Sequence, residues 1–385
     1  MTKLGFTVVA VLAGVVSLLA AVGASASPPN AVKVVGHVYV NDNTTGVNTV
    51  AGFERHADGS LTPIPGSPFS AGGAGAGHAN ASQGSLQLSD DRRYLLAVDA
   101  GSNQISVLRI KHDGSLQIAQ VVSSNGANPV SIAVHGPLVY VANADPNNPN
   151  YTGFTLNPGG QLRPIAGSTV SLPAGSQPGD VLFNRDGRKL VGTRVGTSMI
   201  DSFTVGGNGR LTAAPGSPFL HQPGVFGQFG SEFSPTRPDQ LFVSNAHTAA
   251  NGGAPGSVSA YTDGDNGILA PIGASPFANA GTASCWIEIS HDGKYLFTVD
   301  TGSSTVASYS IANDGTLSAT GNTPIKNGKG AEDARLTPDG SILYVVNGGG
   351  NTINAFSVNG GTLTELTSSP TAGPTGATPS GIVVN

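Results

Sequence analysis

Three short segments of this chain each place an ionisable residue one step before a closing apolar residue. They read FGSEF ending at Phe233, CWIEI ending at Ile289, and EDARL ending at Leu336. The residues so placed are Glu232, Glu288 and Arg335, spaced at about 50 residues. Two places earlier in the same register stand Asp180, Trp286 and Asp333, with Glu332 beside the last. Two carboxylates and a guanidinium at one level would suit a polar, oxygen-rich ligand. Arg335 would hold a carboxylate or a carbonyl oxygen. Glu232 or Glu288 would serve as general base toward water, its pKa raised by the like-charged neighbour. Trp286 would offer a ring a flat apolar wall, and Asp180, Glu332 and Asp333 would line the same binding space. The competing reading is a water-filled channel whose charges satisfy one another.

The elements that must position these residues are repeats. A strand ending in Asn or Asp recurs as HVYVND from His37, YLLAVD from Tyr94, LVYVAN from Leu138, LFVSN from Leu241, YLFTVD from Tyr295 and ILYVVN from Ile342. A weaker copy, KLVGTR, starts at Lys189. Each is followed by a second β-rich run, then by a turn with Gly before Leu: ADGSL, HDGSL, PGGQL, GNGRL, DNGIL, NDGTL and NGGTL. Asp-Gly and Asn-Gly supply the positive φ of tight hairpins. Alternating Val, Leu, Ile and Tyr supply buried faces. Seven units of four short strands predict an all-β fold, a seven-bladed β-propeller of four-stranded antiparallel blades.

The ends of the repeat array agree. The first copy begins at its second strand, GHVYVND, and the chain finishes on an orphan first strand, PSGIVVN (379–385). The C-terminal strand is expected to complete the N-terminal blade and close the ring, leaving no sheet edge open.

Loop lengths divide the two faces. The Asp-Gly turns are uniformly short, whereas segments 70–82, 173–180, 219–230 and 246–256 are long. Long loops on a rigid scaffold are where binding usually lies, so function is assigned to the long-loop face. His78, His221 and His247 fall in those loops and join the candidate binding residues. His56, His112 and His291 sit in short turns, and His37 and His135 lie near tight connections; all five are read as solvated residues of the far face. No H-E-x-x-H and no paired Cys spacing supports a metal site, and no cofactor is expected. GGAGAG (72–77) lacks the strand and helix of a dinucleotide site, and DGDNG (263–267) reads as a hairpin turn, not a calcium loop.

Bulk composition narrows the class. Charged residues make up 11% of the 385, and Gly numbers 55, which suits strands and turns better than helices. The formal charge is −5, with no Lys/Arg cluster, so no nucleic-acid partner is expected. The one cysteine, Cys285, has no internal disulfide partner. Lys3, an apolar run from Phe6 to Val22, and Ala24-Ser25-Ala26 form a cleavable export signal over residues 1–26. A single propeller domain over 27–385 would remain. It would be secreted, either extracellular or periplasmic, monomeric, and free of the membrane after cleavage.

The YVVN-type strands and the TPDG and DGSL turns resemble those of the lactonase family of seven-bladed propellers. That family includes 6-phosphogluconolactonases and carboxymuconate-cyclising enzymes, and the likeness covers essentially residues 27–385. It implies a hydrolase or cyclase of a lactone or sugar acid, with acidic, Arg and His residues at the long-loop face; Glu232, Glu288 and Arg335 are the candidates. In place of a His-rich approach to an inner strand the chain has GAEDARLTPDG (330–340), so phosphogluconolactone is not the expected substrate. The alternative function is a non-catalytic propeller that binds an extracellular glycan, cell-wall component or protein.

Overall fold

The computed structural model describes residues 1–2, 32–80, 82–220, 225–246, 255–373 and 378–385. The signal segment and its cleavage motif, together with His221 and His247, lie outside the described residues. The described residues form seven antiparallel sheets, and the innermost strand of each touches the innermost strand of the next, around a full circle. The innermost strands of blades 2 to 7 are Leu86–Leu88, Pro129–His135, Pro178–Phe183, Gln228–Phe233, Ser284–Ile289 and Ala331–Leu336. Blade 1 is closed by Ile382–Val384, which pairs with Val34–Asn41 in the register Val38 to Val384 and Val40 to Ile382. The expected closure by the C-terminal strand is therefore present.

Local chemistry explains the repeat. All seven turns between third and fourth strands carry a glycine at positive φ, from 74° at Gly209 to 87° at Gly315. A side chain there would meet the left-handed penalty of about 1–2 kcal/mol. The Asn or Asp that ends each second strand is fully buried, as at Asn41, Asp99, Asn143, Asn245, Asp300 and Asn347. These side chains tie down adjoining loops: Asn48 of blade 1 donates to Asp99 of blade 2 at 2.8 Å, and Asn143 donates to Asn150 of its own blade at 3.0 Å. In the weak copy the position holds Arg194, whose fork grips Asp201 at 2.5 and 2.6 Å. The buried polar role survives, with an ion pair replacing the amide.

In five blades two short pieces share the outermost position, as with Leu61–Pro63 and Phe69–Ser70. The break would orphan one N–H of the third strand. A serine hydroxyl accepts it each time: Ser67 from Gly52, Ser168 from Gly153, Ser217 from Ser202, Ser275 from Ala260 and Ser369 from Ala355.

Among the described residues the apolar core forms seven clusters; six span two neighbouring blades, and one, with Phe229, Trp286 and Leu343, joins blades 5, 6 and 7. Blades 7 and 1 share one as complete as the rest, with Val38, Phe53, Tyr344 and Ile353 interleaved. Burial thus holds blade to blade, and the closing strand removes the last exposed flank.

Candidate functional site: two mouths of one channel

Each innermost strand runs from the long-loop face toward a short turn. A residue one place before the strand's end therefore lies next to that turn. Glu232, Glu288 and Arg335 come together there, at the tight-turn mouth. Arg335 Nη1 donates to Glu288 Oε2 at 2.8 Å and to Glu232 Oε1 at 3.3 Å. Glu288 Oε1 also accepts the Leu336 backbone N–H at 3.0 Å, which stitches blade 6 to blade 7. The three side chains line an open pocket of about 180 Å³ with Phe233, Pro235 and His291.

Two expectations change here. The charged level does form, but it opens on the tight-turn face and not the long-loop face, because it sits at the exit ends of the strands. His291, read from sequence as a solvated turn residue, is exposed but belongs to this pocket. His37 is half-buried, tilted against Tyr39 at 6.0 Å, with its pKa lowered by burial.

Electrostatics single out Glu232. Burial in the channel, and then the neighbouring Glu288 carboxylate, raise its carboxyl to about 8, with Arg335 pulling the other way. Burial works against the charge on Arg335, but Glu288, Asp333 and Glu232 outweigh it and hold its pKa above the ordinary value. Glu288 has both oxygens engaged; Glu232 has one contact, at the longer distance, and the more exposed side chain, 23% against 10%.

Asp180 and Asp333 are a level further in, and both carboxyls already accept hydrogen bonds from the protein. Asp180 accepts from Ser131 at 3.1 Å and from the Ser231 N–H and hydroxyl at 3.0 and 2.6 Å, tying blades 3, 4 and 5. Burial raises it to about 7. Asp333 accepts from Ala334 N at 2.9 Å and reaches Ile382 N of the closing strand at 3.4 Å. Burial, opposed by Arg335, raises it to about 6.

A residue that sequence reasoning missed crosses the channel at this level. Gln83 Nε2 donates to the Ser231 carbonyl at 3.2 Å, and its Oε1 accepts from Ile287 N at 3.0 Å. Its own N–H donates to the Gly179 carbonyl at 2.8 Å. Room for it depends on Gly230, where a Cβ would stand 2.2 Å from Gln83 Oε1. Next to it Gly84 turns the chain at a φ of 82°. The only signal in the sequence was a Gln-Gly pair after an unusually long loop.

On the far side of Gln83 the channel opens differently. Trp286 donates its indole N–H to the Ser82 carbonyl at 2.9 Å and packs edge-on against Phe229, ring centres 4.9 Å apart. With Val195, Ala246, Cys285 and Glu332 these rings line a mainly apolar cavity of about 400 Å³ on the long-loop side. His78 lines an adjoining recess of about 200 Å³ that shares Ala79, Asn80 and Val195. Trp286, Glu332 and His78 are therefore not in the pocket of Glu232, Glu288 and Arg335.

A closed ring of seven four-stranded blades, with ionisable residues gathered in its channel, defines a seven-bladed β-propeller with a candidate channel site. The family model described as Lactonase, 7-bladed beta-propeller, matches residues 46–183 and 235–335. The chain belongs to this family. The matched segments contain Glu288 and Arg335 and leave out Glu232. Among solved structures, a candidate 6-phosphogluconolactonase of Bacteroides uniformis superposes with a TM-score of 0.74 at 20% identity, over 91% of this chain and 99% of that one. The periplasmic gluconolactonase of Pseudomonas aeruginosa gives 0.72 at 17% identity, over 91% and 98%. At these identities the likeness is one of fold. No curated protein sequence matches the chain.

Proposed function

We propose that this protein is an exported lactone hydrolase that works at the tight-turn mouth. The observation that carries the reading is Glu232: a carboxyl with a raised pKa, 3.3 Å from a guanidinium, in an open pocket that also holds a histidine. Arg335 polarises the lactone carbonyl. Glu232, in its carboxylate form, takes a proton from a water, and the water oxygen bonds to the carbonyl carbon. The tetrahedral intermediate collapses with cleavage of the ring C–O bond. The departing alkoxide takes the proton back from Glu232, directly or through His291, and a hydroxy acid leaves. Glu288, held by Leu336 N–H and Arg335, positions the guanidinium. The Glu232, Glu288, His291 and Arg335 side chains on the walls, beside Phe233, Pro235 and Ile289, and the volume of about 180 Å³ suit a single hydroxylated ring, the lactone of a sugar acid.

The test is proton release from glucono-δ-lactone and δ-valerolactone by the purified protein beside Glu232→Gln. Turnover of the hydroxylated lactone that Glu232→Gln abolishes, with the fold intact, is expected. No turnover of either compound, or turnover indifferent to Glu232→Gln, would overturn the assignment and favour a propeller that binds an extracellular glycan or protein without chemistry. Export rests on the apolar run and the Ala24-Ser25-Ala26 motif. N-terminal sequencing of the protein from medium and periplasm is expected to begin near Ser27; an intact Met1 would remove that part of the reading.

A further inference from the structure

The cavity on the long-loop side of Gln83 has its own chemistry. Its walls are Phe229, Trp286, Val195, Ala246, Ala283 and Cys285, and its volume, about 400 Å³, is within the range of pockets that enclose small organic molecules. Into it comes one carboxyl. Glu332 is 4% exposed, and its Oε2 has no hydrogen-bond partner among the described residues. Glu332 makes no ion pair among them either. Thr378, on the same wall, has a second buried oxygen, Oγ1, without a partner among the described residues. Buried polar atoms are almost always satisfied, and each exception needs an explanation. Two exceptions lining one apolar cavity point to a ligand that supplies what the protein does not.

We propose that the long-loop mouth is a second ligand site, separate from the tight-turn pocket, for a small uncharged and largely apolar ring compound whose carbonyl oxygen accepts a hydrogen bond from Glu332. Three features select this class. The apolar walls and the Trp286 and Phe229 rings favour a flat hydrophobic body. An anion would face Glu332 with Asp333 behind it. A cation would require an ionised Glu332, which burial and then the adjacent Asp333 disfavour by raising its pKa well above the ordinary value. The protonated carboxyl is a donor, and a ligand carbonyl is the partner it lacks. The inference does not rest on lactone hydrolysis at the other mouth.

The test uses the neutral fluorophore 6-propionyl-2-(dimethylamino)naphthalene, its 6-propyl analogue lacking the carbonyl, and a naphthyl-trimethylammonium cation, each titrated into the full-length mature protein. Saturable, blue-shifted binding of the ketone is expected, with the propyl analogue and the cation both weaker. Glu332→Leu is expected to weaken ketone binding about tenfold, in line with the loss of one buried hydrogen bond, and to leave the propyl analogue unchanged. Glu332→Gln, which keeps a donor, should restore most of the ketone affinity. Should Glu332→Leu fold poorly, Val195→Trp at the half-buried rim fills the same cavity and should abolish binding of both neutral probes. No saturable ketone binding, equal affinity for ketone and propyl analogue, tighter binding of the cation, or indifference to both Glu332→Leu and Val195→Trp would each overturn the proposal. Lactone turnover, measured on the same samples, should be unaffected by Glu332→Leu, so failure at one mouth is distinguishable from failure at the other.

Discussion

At one mouth of the channel Glu232 and Glu288 share the guanidinium of Arg335; at the other, Glu332 faces Phe229, Trp286 and Cys285 with no ion pair among the described residues. The carboxyls of both mouths stand on innermost strands, and burial raises both Glu232 and Glu332. What differs is the company. Charges in the first pocket compensate one another and leave Glu232 poised for proton transfer. The lone carboxyl of the second is held as a neutral donor. One channel therefore holds two differently built pockets, and the Gln83 side chain crosses between them, bonded to Ser231 and Ile287.

The largest effects should come from breaking the charged mouth. Glu232→Gln is expected to lower lactone turnover by roughly 10²–10⁴-fold, the range for loss of a general base, with little change in the unfolding midpoint at pH 5; steady-state proton release checks it. Arg335→Ala is expected to lose turnover as well, and to cost about 3 kcal/mol of stability because it leaves the mostly buried Glu288 and Glu232 carboxyls without their cation. Urea unfolding would show it; a loss below the measurement error would mean that the pocket is wetter and less coupled than its geometry implies.

Next comes the barrier. Gln83→Ala leaves Ile287 N–H and the Ser231 carbonyl without partners, and should cost about 2 kcal/mol. It should also let a solute that binds one mouth compete with a solute that binds the other. Independent binding in that variant would show that more than Gln83 separates the two.

A smaller effect concerns pH. Glu232 has a folded value of about 8 against an ordinary 4.5. Between those values the unfolded chain ionises while the folded one keeps its proton. The stabilising contribution is therefore full below about 4.5 and is lost as pH rises through about 8. Glu232→Gln should flatten that fall when urea midpoints are compared at pH 5 and pH 8.5. Turnover should rise over the same interval, because the base must be ionised to act. The smallest effect belongs to the apolar mouth: Glu332→Leu should raise stability by about 1 kcal/mol, since it removes an unsatisfied buried polar group. Destabilisation instead would reveal a partner for Glu332.

The blades were legible in the sequence because their determinants are local. A positive φ at Gly209 or Gly315 is required within a few residues, and alternation along Tyr295–Asp300 reports burial by itself. Closure was legible as the split between GHVYVND and PSGIVVN. The common level of Glu232, Glu288 and Arg335 was also legible, because a repeat carries its register with it. The mouth at which they open is set by their place in the strand, since a residue one place before a strand's end belongs to the turn that follows; loop length points to the opposite face.

What only the tertiary structure decided was which of these residues share a space. Gln83 meets residues 148 and 204 positions away, and no periodicity in the chain announces such contacts. It lies between Trp286 and Glu332 on one side and, on the other, the charges at Glu288 and Arg335, two and three places further along the innermost strands. Tertiary packing likewise engaged Asp180 with Ser131 and Ser231 and Asp333 with backbone, and placed the exposed turn residue His291 beside the charged pocket. Sequence patterns determine strands, turns and register because those depend on neighbours in the chain. Compartments depend on neighbours across the ring, and for these seven blades only the closed ring defines them.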